Sequence, residues 1–243
     1  MWYEDVVNIK IGCIQKRKNI LVKNILKAAA KSRNIAYLNK NLYWRGKMAE
    51  TLNVKQSLKK LLDGNKRCAA GTQQNPRQDA KRRKEVTKGQ KPFAVIVGCS
   101  DSRIPPELIF DQGLGDLFVV RLAGNIVDSL AMGSIEYAVE HLATKLVVVL
   151  GHGNCGAVTA AAKSADAPGH VGSIVKAIQP AIKKARKLKG DLVDNAIRAN
   201  VSLVVNKIKS SKPIMVEMIE KGDVQVIGAY YNIETGEVEL LEG

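Results

Sequence analysis

Short apolar runs punctuate the second half of the chain. Residues 93–98 (Phe-Ala-Val-Ile-Val-Gly) form one that closes on glycine, and residues 117–121, 146–150 and 224–230 are of the same kind. Their length and richness in valine and isoleucine predict buried strands. Between them the apolar spacing changes to that of helices. Val54, Leu58, Leu61 and Leu62 recur at helical intervals over residues 54–63. Asp128 or Ser129 can cap a helix that runs to His141. A small-residue helix is expected after Gly156, followed by helices over residues 173–188 and 192–209. Residues 77–88 are densely charged and predict a solvated helix, and residues 71–76 predict a loop. No internal repeat is present. Strands that alternate with helices predict an α/β fold, a mainly parallel central sheet flanked by helices on both faces. The tail, residues 230–241, predicts two short strands about a Thr235-Gly236 turn. Ligand sites in such sheets gather at the carboxyl ends of strands. The first and third runs lead into Cys99 and His152.

Composition changes this picture little. The 243 residues, 46% hydrophobic, suit one large domain with or without an extension. No apolar stretch is long enough to span a bilayer, and the N-terminus has no secretory pattern. Four scattered cysteines (Cys13, Cys68, Cys99, Cys155) do not form a disulfide framework, so reduced thiols in a cytoplasmic setting are expected.

Charge is more informative. The net +15 first suggests nucleic acid or an anionic surface, but it is unevenly spread. Residues 1–47 hold eleven lysines and arginines against two acids, and also both tryptophans. This segment reads as a basic extension of uncertain role preceding a catalytic domain at residues 48–243. An organelle-targeting peptide is one reading, though Ser32 as the sole serine speaks against it. A basic surface-binding arm is a second. An upstream extension, with Met48 as the natural start, is the plainest. The 81–84 run (Lys-Arg-Arg-Lys) reads as a solvated face rather than a nucleic-acid site.

Two constellations carry the chemistry. Cys99-Ser100-Asp101-Ser102-Arg103 follows one strand, and His152-Gly153-Asn154-Cys155 follows another. Zinc takes thiolate, imidazole and carboxylate ligands in a tetrahedron. Two thiolates and one imidazole leave a fourth position for water or Asp101, and zinc brings the pKa of bound water to about 7. Arg103 can pair bidentately with Asp101 and hold it off the metal. A lone buried cysteine is ordinarily just a small apolar side chain. Convergence of four candidates on two strand ends is what argues for a metal.

Residues 151–156 also satisfy G-x-G-x-x-G, a dinucleotide fingerprint. That fingerprint needs an acid about 20 residues on, at the end of the next strand. Residues 167–190 contain no acid, so the nucleotide reading is rejected. His141 reads as a helix-surface or helix-end group and His170 as a loop residue, while Cys13 and Cys68 have no partner motif.

At these residues the sequence resembles the β-class carbonic anhydrases. Residues 99–103 (Cys-Ser-Asp-Ser-Arg) match the family's first motif, Gly151-His152-x-x-Cys155-Gly156 its second, and residues 115–125 look like the intervening stretch. The resemblance implies reversible hydration of carbon dioxide to bicarbonate and a proton by zinc-bound hydroxide. It implies one zinc per subunit on Cys99, His152 and Cys155, with Asp101 an exchangeable fourth ligand and dyad partner of Arg103. It implies a substrate pocket of Gln90, Phe118, Ala123 and Tyr137. A homodimer or dimer of dimers is also implied, with N-terminal helices, here residues 54–90, packing on a neighbour. No nucleic acid partner is expected. Carbon disulfide or carbonyl sulfide are rival substrates for the same site. A zinc-stabilised module binding polyanions through residues 1–47 is a rival of another class.

Overall fold

A computed structural model describes residues 52–241 of the chain. The basic extension, the boundary at Met48 and Cys13 lie outside the described residues.

The described chain opens with α1 (Val54–Ala69). Asn53 accepts from the Gln56 backbone while the Gln56 side chain accepts from the Asn53 backbone, a reciprocal cap that starts the helix. The expected helix is therefore longer than its apolar pattern, which covers only residues 54–63. Then come α2 (Ala80–Val86), β1 (Ala94–Gly98), α3 (Pro106–Ile109), β2 (Leu117–Arg121) and a 3₁₀ turn at Ala123–Asn125. They are followed by α4 (Ser129–His141), β3 (Leu146–His152), α5 (Gly156–Lys163), α6 (Val171–Ala185) and α7 (Leu192–Lys209). The last elements are α8 (Ile214–Glu220), β4 (Gln225–Tyr231) and β5 (Val238–Leu241).

The sheet order is β2-β1-β3-β4-β5, parallel but for the antiparallel β5. Every residue of β1 and β3 is buried, as their unbroken apolar sequences require of inner strands. Successive side chains point to opposite faces. Ile96, Val148 and Leu150 join one core cluster with α1, α5 and α6, through Leu61, Val158, Ile178 and Ile182. Val95, Val97, Val147 and Val149 join another with α4, α7 and α8, through Ile135, Val204, Ile208 and Met215.

The single chain seats α1 on its own core. Asn65, 4% exposed, donates to Ile109 O (3.3 Å) and Gly236 O (2.8 Å) and accepts from Val238 N (2.8 Å). One amide thereby ties α1 to α3 and to the closing hairpin. Asn65→Ala removes the partner of one buried and two half-buried backbone groups and is expected to cost about 2–3 kcal/mol. The urea midpoint at fixed protein concentration measures it. A change below roughly 0.5 kcal/mol, the size of an ordinary surface substitution, contradicts this role.

Candidate metal centre

Inner strands β1 and β3 are neighbours in register, Gly98 opposite Leu150, so the residues beyond their carboxyl ends meet. Cys99 leaves β1 and is 4% exposed; His152 ends β3 and is fully buried; Cys155 caps α5 and is 1% exposed. A thiol sulfur, a ring nitrogen and a second sulfur from these three all lie within 4.8 Å of one another. Bond lengths of about 2.0–2.3 Å in a tetrahedral zinc site put ligand atoms roughly 3.5 Å apart. The trio falls within reach of that spacing.

The donor chemistry fits a soft divalent cation. His152 Nδ1 lies 2.9 Å from Gly153 O, and a carbonyl can only accept. Nδ1 therefore carries the proton, which leaves the Nε2 lone pair free in the neutral ring. Nε2 is buried with no hydrogen-bond partner. An orphaned buried nitrogen is costly and rare, and a metal would satisfy it. The sulfurs tell the same story. Cys99 is held down to about 3, chiefly by a hydrogen bond from Cys155, with His152 and Gly124 N–H adding to it. Cys155 is pushed up from the usual thiol range, first by its contact with Cys99 and then by burial. Two such buried thiols cannot both ionise beside each other without a cation between them.

Asp101 stands at the edge of this trio. Its carboxylate takes a fork from Arg103, Nε to Oδ1 at 2.9 Å and Nη2 to Oδ2 at 2.7 Å, plus Arg103 N to Oδ1 at 3.0 Å. Arg103 beside it holds the carboxyl well below the usual carboxylate range. Arg103 Nη2 also donates to Asn154 O at 3.1 Å, so one guanidinium spans both motifs. Asp101 Oδ2 is 4.0 Å from His152 Nε2, close enough to reach an ion there on rotation.

Of the expected site residues, Cys99, Asp101, Arg103, His152 and Cys155 come together. Ala123 adjoins them through Gly124, whose N–H donates to Cys99 Sγ at 3.2 Å. Gln90, Phe118 and Tyr137 do not reach the trio within one chain. Phe118 is in register with Val95, four residues before Cys99, which is about 13 Å along a strand. Tyr137 stacks near Phe118 (ring centroids 6.3 Å apart) and then against His141 (5.3 Å). Gln90 is exposed just ahead of β1, also at the amino end of the sheet. A cavity of about 390 Å³ behind the second motif is lined by Asp191, Asp194, Glu234 and Tyr230, among others. Its acids suit neither carbon dioxide nor bicarbonate. Gly153 faces the Tyr230 hydroxyl at 2.9 Å from where a Cβ would stand, so the glycine motif offers no phosphate cradle.

Arg121 was invisible as a site residue in the sequence. Its Nε donates to Cys99 O at 2.7 Å and its Nη2 to Asp101 O, fixing the backbone of the first motif. A cation closing an apolar strand is the one sequence feature that could have pointed to it.

The carbonic anhydrase family model matches residues 94–238. The carbonic anhydrase of Mycolicibacterium smegmatis is 41% identical over 186 residues, 75% of this chain and 90% of that protein. Carbonic anhydrase 2 of Mycobacterium tuberculosis matches at the same 41%. Among solved structures, a Coccomyxa β-carbonic anhydrase in complex with acetazolamide superposes with a TM-score of 0.60 at 30% identity, covering 79% of this chain and 87% of that one. A tetrameric β-carbonic anhydrase of Sordaria macrospora gives 0.61 at 28% identity, covering 66% of this chain and 86% of that one.

Proposed function

This chain belongs to the β-class carbonic anhydrases, and from that premise we propose that Cys99, His152 and Cys155 hold one zinc ion per subunit and serve the hydration of carbon dioxide. The observation that carries the proposal is the fully buried His152 whose Nε2 has no partner, set between two buried thiols. Zinc, when bound, supplies the positive charge that makes water acidic near neutral pH.

The chain's own groups do the rest. Arg103 holds the Asp101 carboxylate away from the three ligands, so a fourth position stays open to water. Each Asp101 oxygen already accepts from Arg103 but keeps a further lone pair, so the carboxylate would also accept a hydrogen bond from that water and orient it toward the carbon of carbon dioxide. The reaction balances when the water oxygen bonds to the carbon, one carbon–oxygen π pair moves onto oxygen as the charge of bicarbonate, and the proton from the broken O–H bond passes to solvent. Were the arginine to let go, Asp101 could itself become a ligand of the zinc that Cys99, His152 and Cys155 would hold.

Carbon dioxide needs an apolar wall, and of the four expected pocket residues only Ala123 adjoins the trio within one chain. Phe118 and the 47%-exposed Tyr137 lie on and beside β2, a sheet edge with an unpaired side. A homodimer that pairs this face with a second subunit would bring Gln90, Phe118 and Tyr137 of one copy to the metal of the other. A dimer of dimers extends the same arrangement. No described helix is long and apolar enough to cross a membrane. The free thiols at the site suit a reducing compartment, and we place the enzyme in the cytoplasm.

Stopped-flow hydration by protein of known zinc content tests the reading. Zinc-loaded protein is expected to accelerate carbon dioxide hydration by at least about 10⁴-fold over chelated protein, a modest share of what enzymes achieve. Fully metallated protein no faster than the chelated form would end it. Faster turnover of carbon disulfide or carbonyl sulfide in the same assay would reassign the substrate and keep the site.

A further inference from the structure

Helix α7 buries an apolar stripe of Ala196, Ile197, Val201, Val204, Val205 and Ile208, and one amide sits among them. Asn200 is 2% exposed. A polar group in such a place is costly unless it is bonded. Its Nδ2 donates to Gly124 O at 2.8 Å, across 76 residues of sequence. Gly124 in turn is the residue whose N–H reaches Cys99 Sγ. Seven residues on, and so on the same face of the helix, Lys207 Nζ donates to Val127 O in the segment that follows the same turn.

The turn has no slack. Gly124 has φ 69°, and a Cβ there would stand 2.6 Å from Ile178 Cδ1. The other half of the site is pressed by the same helix. A Cβ on Gly151, the residue before His152, would meet Val201 Cγ2 at 2.6 Å. Residues 197–207 of α7 thus back the chain segments that carry both motifs.

We propose that Asn200 is a positioning residue for the metal centre, holding the Ala123–Asn125 turn so that the Gly124 N–H is aimed at the Cys99 sulfur. The inference rests on the zinc reading above. An N–H directed at a ligating thiolate draws charge from the sulfur and fixes its lone pairs, and loss of such outer contacts costs about 10–100-fold in metal affinity. Nothing in the two motifs points to Asn200. Its role follows from where α7 crosses the strand ends.

The test uses metal-depleted full-length protein, titrated with zinc against a chromophoric chelator and separately with cobalt(II). Wild-type protein comes first, because failure to bind either metal overturns the zinc reading itself. Asn200→Leu keeps the volume and removes the donor. It is expected to bind zinc about 10–100-fold more weakly and to shift the thiolate-to-cobalt charge-transfer bands. Ile208→Ala, buried in the same helix but beyond residues 197–207, is expected to lower the melting temperature while leaving affinity and spectrum unchanged. Wild-type affinity and an unshifted spectrum in Asn200→Leu, even with a lower melting temperature, would overturn the proposal and leave the zinc reading intact. Should Asn200→Leu not fold, Asn200→Ala removes the donor without adding a larger apolar group and is judged by the same two measurements.

Discussion

His152→Ala is expected to purify without stoichiometric zinc and to lose at least about 10³-fold in kcat/KM for carbon dioxide hydration, because the attacking water would lose the metal charge that makes it acidic near neutral pH. The size follows from what remains. Without the imidazole, Cys99 and Cys155 offer two sulfurs, and the second stays protonated beside the first, as its upward shift in the free site indicates. A two-coordinate site loses zinc to any chelator. Restoring metal at high concentration should restore little activity, because two sulfurs alone would hold it too weakly and without a fixed orientation. Because the His152 ring is fully buried, its removal also leaves a cavity, so the melting temperature must be measured alongside. Cys155→Ser, at the start of α5, removes a ligand with almost no change in volume and should give the same loss with a smaller change in stability. A His152→Ala protein that keeps one zinc per subunit and near-normal turnover would show that the metal lies elsewhere.

The ligands were readable because each sits where a strand pattern stops. The valine-rich runs before Cys99 and before His152 are recognisable as inner strands from sequence alone, and adjacent parallel strands deliver their ends to one place. The helix from Ser129 to His141 and the helix from Leu192 to Lys209 were equally legible, each opening on an aspartate that caps it. What stayed hidden depends on partners far apart in sequence or on backbone atoms. The Gly124 N–H carries no side chain to announce it, and Arg121 acts through the carbonyls of Cys99 and Asp101. The short helices Pro106–Ile109 and Ile214–Glu220 are below the length at which periodicity speaks. Gln90, Phe118 and Tyr137 were assigned to a pocket from resemblance, and only the register of β2 against β1 reveals that they stand at the other end of the sheet. Sequence spacing cannot distinguish a residue that lines its own chain's site from one that would line a neighbour's.

Arg103→Ala should retain its zinc yet lose about 10²-fold in kcat, the scale of removing one preorganised polar contact at a reacting centre. The guanidinium makes two hydrogen bonds to Asp101 and one to Asn154 O, which sets its positive charge directly against the carboxylate. Once released, Asp101 is 4.0 Å from His152 Nε2 and can turn onto the ion, filling the position that water needs. A closed site binds metal at least as tightly as an open one, so zinc content should hold or rise while turnover falls. That combination separates closure from simple damage. Arg103→Lys should recover only part of the rate, since an ammonium supplies charge but not the two-pronged geometry. The sharpest comparison is the double variant Asp101→Ala with Arg103→Ala. With no carboxylate left to close the site, it should turn over faster than Arg103→Ala alone, a coupling of a sign that independent contributions cannot produce. Equal or lower activity in the double variant would show that closure by Asp101 is not what limits Arg103→Ala. Normal turnover in Arg103→Ala would remove the pair from the mechanism.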